Sequence, residues 1–377
     1  MPYSTVKKTI FITWLLKSLR VVKAYHLRPL FNMYEATTIK DIAKALGLST
    51  STVSRALRGS YEISSETKKL VLEYAEKINY RPNPIALSLK ERRSRSIGVV
   101  VCEIANNFFS QAINGIESIA YNRGYHVIIS QNHESFDREV VNVQHLASRS
   151  VDGLLVSISS ETTDLSHFIH LHEKGLPIVF FDRITNEITT HKVIVDNTKA
   201  AFDATSHLLK NGYRKIAHLT SAPNLSITKE RLQGYKNALD ENNITLNEKY
   251  IQHCTHGGMI ADEIEAALTM LLKQKQKPDA VLTAGDRITT GCLSALKKLN
   301  LKVPDDIAVV GFTNTNIPEL FDPPITTIRQ PAFEMGQVAI EMLIQIIESK
   351  RPVTDFETKV LQTEMQVRDS SLPLQKK

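Results

Sequence analysis

Cysteine is scarce: the 377 residues hold three, Cys102, Cys254 and Cys292, far apart in the chain. They cannot build a disulfide framework, and they read as buried thiols of a reduced, cytoplasmic protein. Long apolar runs are missing as well. The run Ile10–Leu16 gives way at once to Lys17 and Arg20, and nothing approaches the roughly 20 apolar residues that span a bilayer. No membrane partner is expected. Glycine (15) and proline (14) stand at ordinary levels beside 42% apolar and 23% charged residues, which excludes a collagen-like or wholly disordered chain. Also absent are GxxxxGK[ST], GxGxxG after a strand, GxSxG and HExxH. No base–nucleophile pairing can be argued, so the expectation is a non-enzyme that needs no cofactor. His253, Cys254 and His256 lack the second Cys/His group that a zinc site requires, so no metal is expected. His167, His170 and His172 read as solvated.

What the chain does have is length and an uneven charge. At 377 residues it exceeds one core and suggests two or three units. Residues 1–33 carry six Lys/Arg and no acid; residues 34–95 carry 12 Lys/Arg against seven Asp/Glu. Residues 96–377 reverse the balance, with 28 against 33. A small basic segment ahead of a large acidic one is the asymmetry of a DNA-reading head on a soluble body. The first 33 residues imitate a secretory signal but show no small-residue cleavage site. They are read as a basic extension, disordered or upstream of a true start at Met33. The alternative is a basic helix on a membrane surface.

From Thr37 the chain runs TTIKDIAKALGLSTSTVSRAL. Ile39, Ile42, Ala43 and Leu46 share one helical face, Gly47 breaks the helix, and Ser49 caps a second one that buries Val53, Ala56 and Leu57. Two short helices around a Gly-containing turn predict a helix-turn-helix. The polar face of the second, Thr50, Ser51, Thr52, Ser54 and Arg55, offers compact groups suited to a major groove. A third helix over about Ser65–Ile78 closes the core with Leu70, Val71, Tyr74, Ala75 and Ile78. NYRPNPIALSLKE follows, a Pro-bracketed turn and a short apolar helix.

The order TIKDIA, G-x-S-x-x-T-V-S-R, NYRPN and A-x-S-L-K resembles the lactose-repressor/galactose-repressor (LacI/GalR) family, and the likeness continues to about Arg368. The resemblance implies that Thr50 and Ser51 read bases and that Leu89 wedges into a central minor-groove step, with Asn83, Ala86 and Lys90 in the same hinge. Arg55 can pair bidentately with guanine. Ser49, Thr52 and Ser54 would hold phosphates, which position without specifying. Arg92, Arg93 and Arg95 read as a solvated linker touching phosphates. The expected divisions are 1–33 extension, 37–82 DNA-binding head, 83–95 hinge and linker, 96–370 body and 371–377 tail.

The body alternates apolar runs, from Ile97–Val101 to Ile307–Gly311, with amphipathic helices such as Phe109–Asn122 and Thr198–Lys210. That pattern predicts parallel sheets covered on both faces, and the length fits two of them. The resemblance implies a type I periplasmic-binding-protein-like body of two doubly wound α/β subdomains with a ligand cleft between them. Ligands in such sheets sit beyond the strands' carboxyl ends. There Phe108 and Phe109 can stack on a sugar ring or purine, Phe108 the better placed, and Asp182-Arg183 follows the fourth strand. By resemblance Arg231 clamps ligand hydroxyls or carboxylates, Asp286 accepts hydrogen bonds, and the two stand on opposite walls. Phe312 and Asn314 mark the same opening more weakly, and TTIRQP reads as a crossover. Cys102-Glu103 and TAGD depart from the family pattern, which leaves the ligand class open. The implied function is a homodimeric regulator that binds double-stranded DNA under control of a small effector, a sugar or sugar derivative. A transport-type sugar-binding protein is the alternative; it would lack the head's purpose.

Overall fold

The computed structural model describes residues 37–81 and 93–373. The chain divides into two compact units, one ending at Leu87 and the other beginning at Ser88.

The first unit is a three-helix head: α1 (Ile39–Leu46), α2 (Thr50–Leu57) and α3 (Ser65–Lys77). Asp41 closes a capping box on Thr38, accepting from both its backbone N–H and its hydroxyl at 2.8 Å. Ser49 caps α2 by accepting from the Thr52 N–H at 3.1 Å, and Ser64 caps α3 in the same way at 3.2 Å from Thr67. Ile42, Ala43, Val53, Ala56, Val71 and Ala75 form the core, flanked by half-buried Tyr74 and Ile78. Leu70 does not join it and is 48% exposed. Val71, Ala75 and Ile78 set the buried stripe at spacings of four and three, and Leu70 lies about 100° off it.

The second unit carries two six-stranded sheets. In chain order the first lobe holds β1 (Ser96–Val101), α4 (Asn107–Asn122), β2 (His126–Gln131), α5 (Phe136–Ser148), β3 (Gly153–Val156), α6 (Ser166–Glu173), β4 (Ile178–Phe181) and β5 (Lys192–Val195). The second lobe follows with α7 (Asn197–Lys210), β6 (Ile216–Thr220), α8 (Ser226–Glu241), β7 (Ile251–His253), α9 (Ala261–Leu272), β8 (Ala280–Thr283), α10 (Asp286–Lys298), β9 (Ala308–Phe312) and β10 (Thr326–Arg329). The chain then returns through α11 (Ala332–Glu348) and β11 (Thr358–Leu361) to the first sheet, and ends with β12 (Glu364–Gln366) in the second. Three passes between the lobes result.

The first sheet, β11-β5-β4-β3-β1-β2, is wholly parallel. The second, β12-β10-β9-β8-β6-β7, is parallel except for the edge strand β12. Both are covered on two faces. Ile97, Val99 and Val101 pack with α4 and α11, while Val100 turns to α5 and α6, as the period of two requires. The second lobe divides likewise between α7/α8 and α9/α10. The returning α11 lies against α4 so closely that a Cβ at Gly336 would stand 2.0 Å from the Ala112 carbonyl oxygen. Only glycine allows that approach.

TTIR is strand β10, not part of the crossover, which starts at Gln330-Pro331. Arg93 and Arg95 are not solvated linker residues. Arg93 donates to the Ile347 carbonyl at 2.7 Å, and Arg95 lies over the Tyr125 ring and 3.8 Å from Glu348. Acceptors left at the end of α11 draw them onto the first lobe. The second lobe also holds the chain past residue 370. Ser371 Oγ lies 2.8 Å from His207, and Tyr213 donates to the Leu372 carbonyl at 2.7 Å.

Candidate functional site

In the head, Thr50, Ser51 and Arg55 are exposed along α2. Arg55 stands 3.2 Å from Glu62, a surface pair that a better partner can displace. Ser49 is half committed: besides capping α2 it lies 2.8 Å from the hydroxyls of both Ser51 and Thr52. Ser54 is met by Arg58, whose guanidinium donates to the Ser54 carbonyl at 3.0 Å and to its hydroxyl at 3.3 Å. Arg58 was not singled out from sequence, although a cation four residues after Ser54 falls on the same face. Asn83, Ala86, Leu89 and Lys90 lie outside the described residues, as do Arg92 and residues 1–36.

In the body, one cleft collects the carboxyl ends of six strands. Cys102 and Glu103 follow β1, Glu134 follows β2, Asp182 and Arg183 follow β4, Ser221 follows β6, Ala284–Arg287 follow β8, and Thr313 and Asn314 follow β9. This is where a doubly wound sheet presents a ligand site. Phe108, Phe109, Arg183, Arg231 and Asp286 all line it. Phe108 and Phe109 are both buried at the start of α4, with their rings edge to face at 5.2 Å. Phe109 also meets Phe181 and so belongs to the first lobe's core.

Arg231 and Asp286 do not face each other across the cleft. Both belong to the second lobe, on α8 and at the start of α10. The crossovers give α7–α10 to one lobe, and that pairing is invisible in local sequence. Arg231 is 2% exposed. Its guanidinium lies 4.1 Å over the Phe312 ring and donates to Asn197 Oδ1 at 2.8 Å, the Ala284 carbonyl at 3.0 Å and Gln330 Oε1 at 3.3 Å. Burial pulls its pKa down to about 10, so it remains a cation at neutral pH.

The wall opposite is made by Glu134 and Arg183. They form a bidentate pair at 2.7 and 2.9 Å, and Glu134 also accepts from the Ser160 N–H at 2.8 Å. Burial alone would raise the Glu134 carboxyl, but Arg183 outweighs it and holds the group below the usual carboxylate range. Gly257 of the second lobe closes onto this carboxylate at φ +62°, where a Cβ would come 2.8 Å from Glu134 Oε1. Glu134 was missed from sequence. It could have been found by the strand-end rule that located the others.

Several contacts bridge the lobes. Asp286 accepts from the Asn107 backbone and side-chain N–H groups at 3.2 and 3.3 Å. Arg287 pairs with Glu103, the residue that departs from the family pattern. Asn224 donates to the Ser160 and Thr162 carbonyls at 3.0 Å, and Gln111 exchanges hydrogen bonds with Asn314 at 2.9 Å. The cleft encloses a free volume of about 50 Å³, room for a few waters. The lobes are therefore closed on one another.

One histidine departs from expectation. The His167 side chain is buried, with Nε2 3.1 Å from the buried Glu139 carboxylate. His253 Nδ1 lies 2.8 Å from the Ser221 carbonyl oxygen, while His256 lies between Glu161 and Glu263. Among the described residues no three His, Cys, Asp or Glu side chains are grouped to hold a metal. No helix of these residues is long and apolar enough to cross a membrane.

Residues 38–83 match the family of bacterial regulatory proteins, lacI family, and residues 205–371 match the periplasmic binding protein-like domain. The HTH-type transcriptional repressor PurR of Vibrio vulnificus is 34% identical over 333 residues, 88% of this chain and 98% of that protein. The chain belongs to the LacI/GalR family. It is a DNA-binding transcriptional regulator with a ligand-binding body, as the paired head and two-lobed fold of the family require. A solved complex of the transcriptional regulator CelR with cellobiose is 28% identical, with a TM-score of 0.65 over 89% of this chain and 99% of that one. A lac repressor dimer bound to operator and the anti-inducer ONPF shares the fold at 24% identity, with a TM-score of 0.74 over 90% and 100% of the two chains.

Proposed function

We propose that this chain is a cytoplasmic repressor, not an enzyme, which grips a pseudo-palindromic operator as a homodimer, and that a sugar or sugar derivative in the cleft sets that grip. The observation that carries the reading is the cleft itself. Two lobes close over a site with aromatic Phe108 and Phe312, the Arg231 guanidinium and the Asp286 carboxylate at strand ends. Hydroxyls of a sugar can both donate to Asp286 and accept from Arg231, while an apolar ring face meets the aromatics. The cellobiose complex of CelR shows a relative of this fold with such an occupant.

On the DNA side, Thr50, Ser51 and Arg55 are assigned to base edges, and Ser49, Thr52 and Ser54, joined by Arg58, to phosphates. Leu89, with Asn83, Ala86 and Lys90, is assigned to the minor groove between two half-sites related by the dimer axis. A ligand moves this system only if it prefers one lobe arrangement to the other. Phe108, Phe109, Arg183, Arg231 and Asp286 are the groups assigned to line the ligand's place in the cleft.

Selecting the full chain against a random duplex pool at fixed salt tests the reading. Enrichment of one pseudo-palindrome is expected; sequence-blind, salt-sensitive retention, with or without sugars, would sink it. Asp286→Ala and Arg231→Ala should abolish the effector response and leave operator binding in one fixed state.

A further inference from the structure

We infer that a basic groove on the first lobe, at the end of its sheet away from the cleft, holds phosphates of the same duplex that the head grips. The inference rests on the DNA-binding reading and adds a contact surface outside the head.

The groove lies among the loops that lead into β1, β3 and β4 and the turn that follows α11. It is open, measures about 660 Å³, and has Val151, Pro177 and Ile347 among its apolar lining. Four cations line it, Arg93, Lys174, Lys350 and Arg351, against one carboxylate, Asp152. That balance runs against the body as a whole, where residues 96–377 hold 28 Lys/Arg and 33 Asp/Glu. Asp152 is committed: it accepts from the Ser94 N–H and hydroxyl at 2.7 and 3.0 Å and from the Arg95 N–H at 2.9 Å. Glu348, at the end of α11, is held by Arg95 and Arg123. Glu173, beside Lys174 in the chain, is exposed and does not line the groove.

Structural tasks account for two of the four cations. Arg93 donates to the Ile347 carbonyl and so already covers the end of α11. Lys174 caps α6, where a cation complements the helix dipole. Lys350 and Arg351 have no such task. Ser349 has left α11 for extended backbone, φ −60° and ψ 134°, and the dipole acts only within the last turn. The Ser349 hydroxyl donates to the Arg351 carbonyl at 2.6 Å, which fixes the turn that carries both cations. Both are exposed, and among the described residues neither joins an ion pair.

Two unpaired cations on an acidic body suit an anion, and the chain brings its own source. The covalent connection from Arg81 to Arg93 can span at most about 40 Å, and Arg93 lines the groove. That tether raises the concentration of the head's duplex at the groove far above that of a free acidic partner. Double-stranded DNA carries a charge about every 1.7 Å of its axis, so phosphates continue beyond the bases assigned to α2. Long, exposed Lys and Arg side chains suit contacts that position a backbone without reading it.

The test is Lys350→Gln with Arg351→Gln in the full chain. Fluorescence anisotropy would follow the selected operator and a random duplex of equal length between about 50 and 200 mM salt. Both affinities should fall by the same factor. The slope of log affinity against log salt should become shallower by about 2 if one subunit's pair engages, and by about 4 if both do. With the smaller change, the deficit at about 50 mM exceeds that at about 200 mM by about 10-fold. Lys350→Arg with Arg351→Lys should keep the slope of the unmodified chain. Lys275→Gln with Lys277→Gln removes the same charge from the exposed loop before β8 in the second lobe and should leave the slope unchanged. An unchanged slope in the groove variant, an equal change in the second-lobe variant, or a loss confined to the operator would each overturn the inference. If the unmodified chain prefers no sequence, the operator reading fails, while the slopes on the random duplex still decide for or against the groove.

Discussion

In the first lobe Glu134 and Arg183 satisfy each other, whereas in the second Asp286 and Arg287 reach across the cleft to Asn107 and Glu103. Glu139, a second buried carboxylate of the first lobe, is satisfied in the same way. Glu139 accepts from Asn132, the Ser159 N–H, the Thr162 hydroxyl and His167, all within that lobe. A pair inside one lobe persists whatever the lobes do, so its free energy belongs to folding. A pair across the cleft exists only while the lobes are close, so its free energy belongs to the balance between conformers. Similar chemistry thus serves stability on one wall and response on the other.

The largest effect should come from breaking the internal pair. Arg183→Met leaves the Glu134 carboxylate buried without its cation and should destabilise the body by about 3–5 kcal/mol. Adding Glu134→Gln should recover most of that. The folded-state pKa of Glu134 lies below its unfolded value, so its contribution is full at neutral pH and is lost as pH falls through the folded value, on the acid side of the ordinary carboxylate range. In Arg183→Met the acid limb should therefore shift to higher pH. Urea unfolding across pH checks both; a loss under 1 kcal/mol would show the pair is not a unit of the fold.

The second lobe buries a titratable group without such a partner. His218 on β6 is fully buried and stacks on Tyr235 at 5.1 Å. Burial, then the nearby His253, pulls its pKa down to about 3. The unfolded chain binds a proton near pH 6.5 that the folded one refuses, so stability falls as pH drops from there toward 3. Between neutral pH and about pH 4.5 this amounts to about 2–3 kcal/mol. His218→Phe keeps the stacked ring and should flatten that slope; parallel pH profiles for the two proteins would remove His218 from the account.

The sequence made the head and the sheets legible because local rules govern them. Caps at Ser49 and the periodic stripe from Ile39 to Leu46 specify helices, and unbroken runs such as Gly153–Val156 specify buried strands. Strands β7, β11 and β12 carried no such signal: they are short edge strands, three or four residues long, with exposed positions. Arg231 and Asp286 were placed in the cleft, but the wall each occupies depends on crossovers more than a hundred residues apart in the chain. His167 read as solvated because nothing nearby in sequence announces Glu139, 28 residues earlier. Glu134 and Arg183 are 49 residues apart, and their pairing is a property of strand order.

The smallest effect on stability, and the sharpest on the comparison, belongs to Arg287. Its side chain is 43% exposed, so the pair with Glu103 is partly screened by solvent. Arg287→Met should change global unfolding by no more than about 1 kcal/mol. The pair forms only across the closed cleft, so the same loss falls wholly on the closed state and should lower its population relative to the open one by up to about five-fold. Small-angle scattering of the unliganded protein reads this as a larger radius of gyration, and a bound effector should restore the original value at a correspondingly higher concentration. If Arg287→Met instead lost stability on the scale of Arg183→Met while its radius stayed unchanged, the two walls would be doing the same work and the division between fold and response would fall.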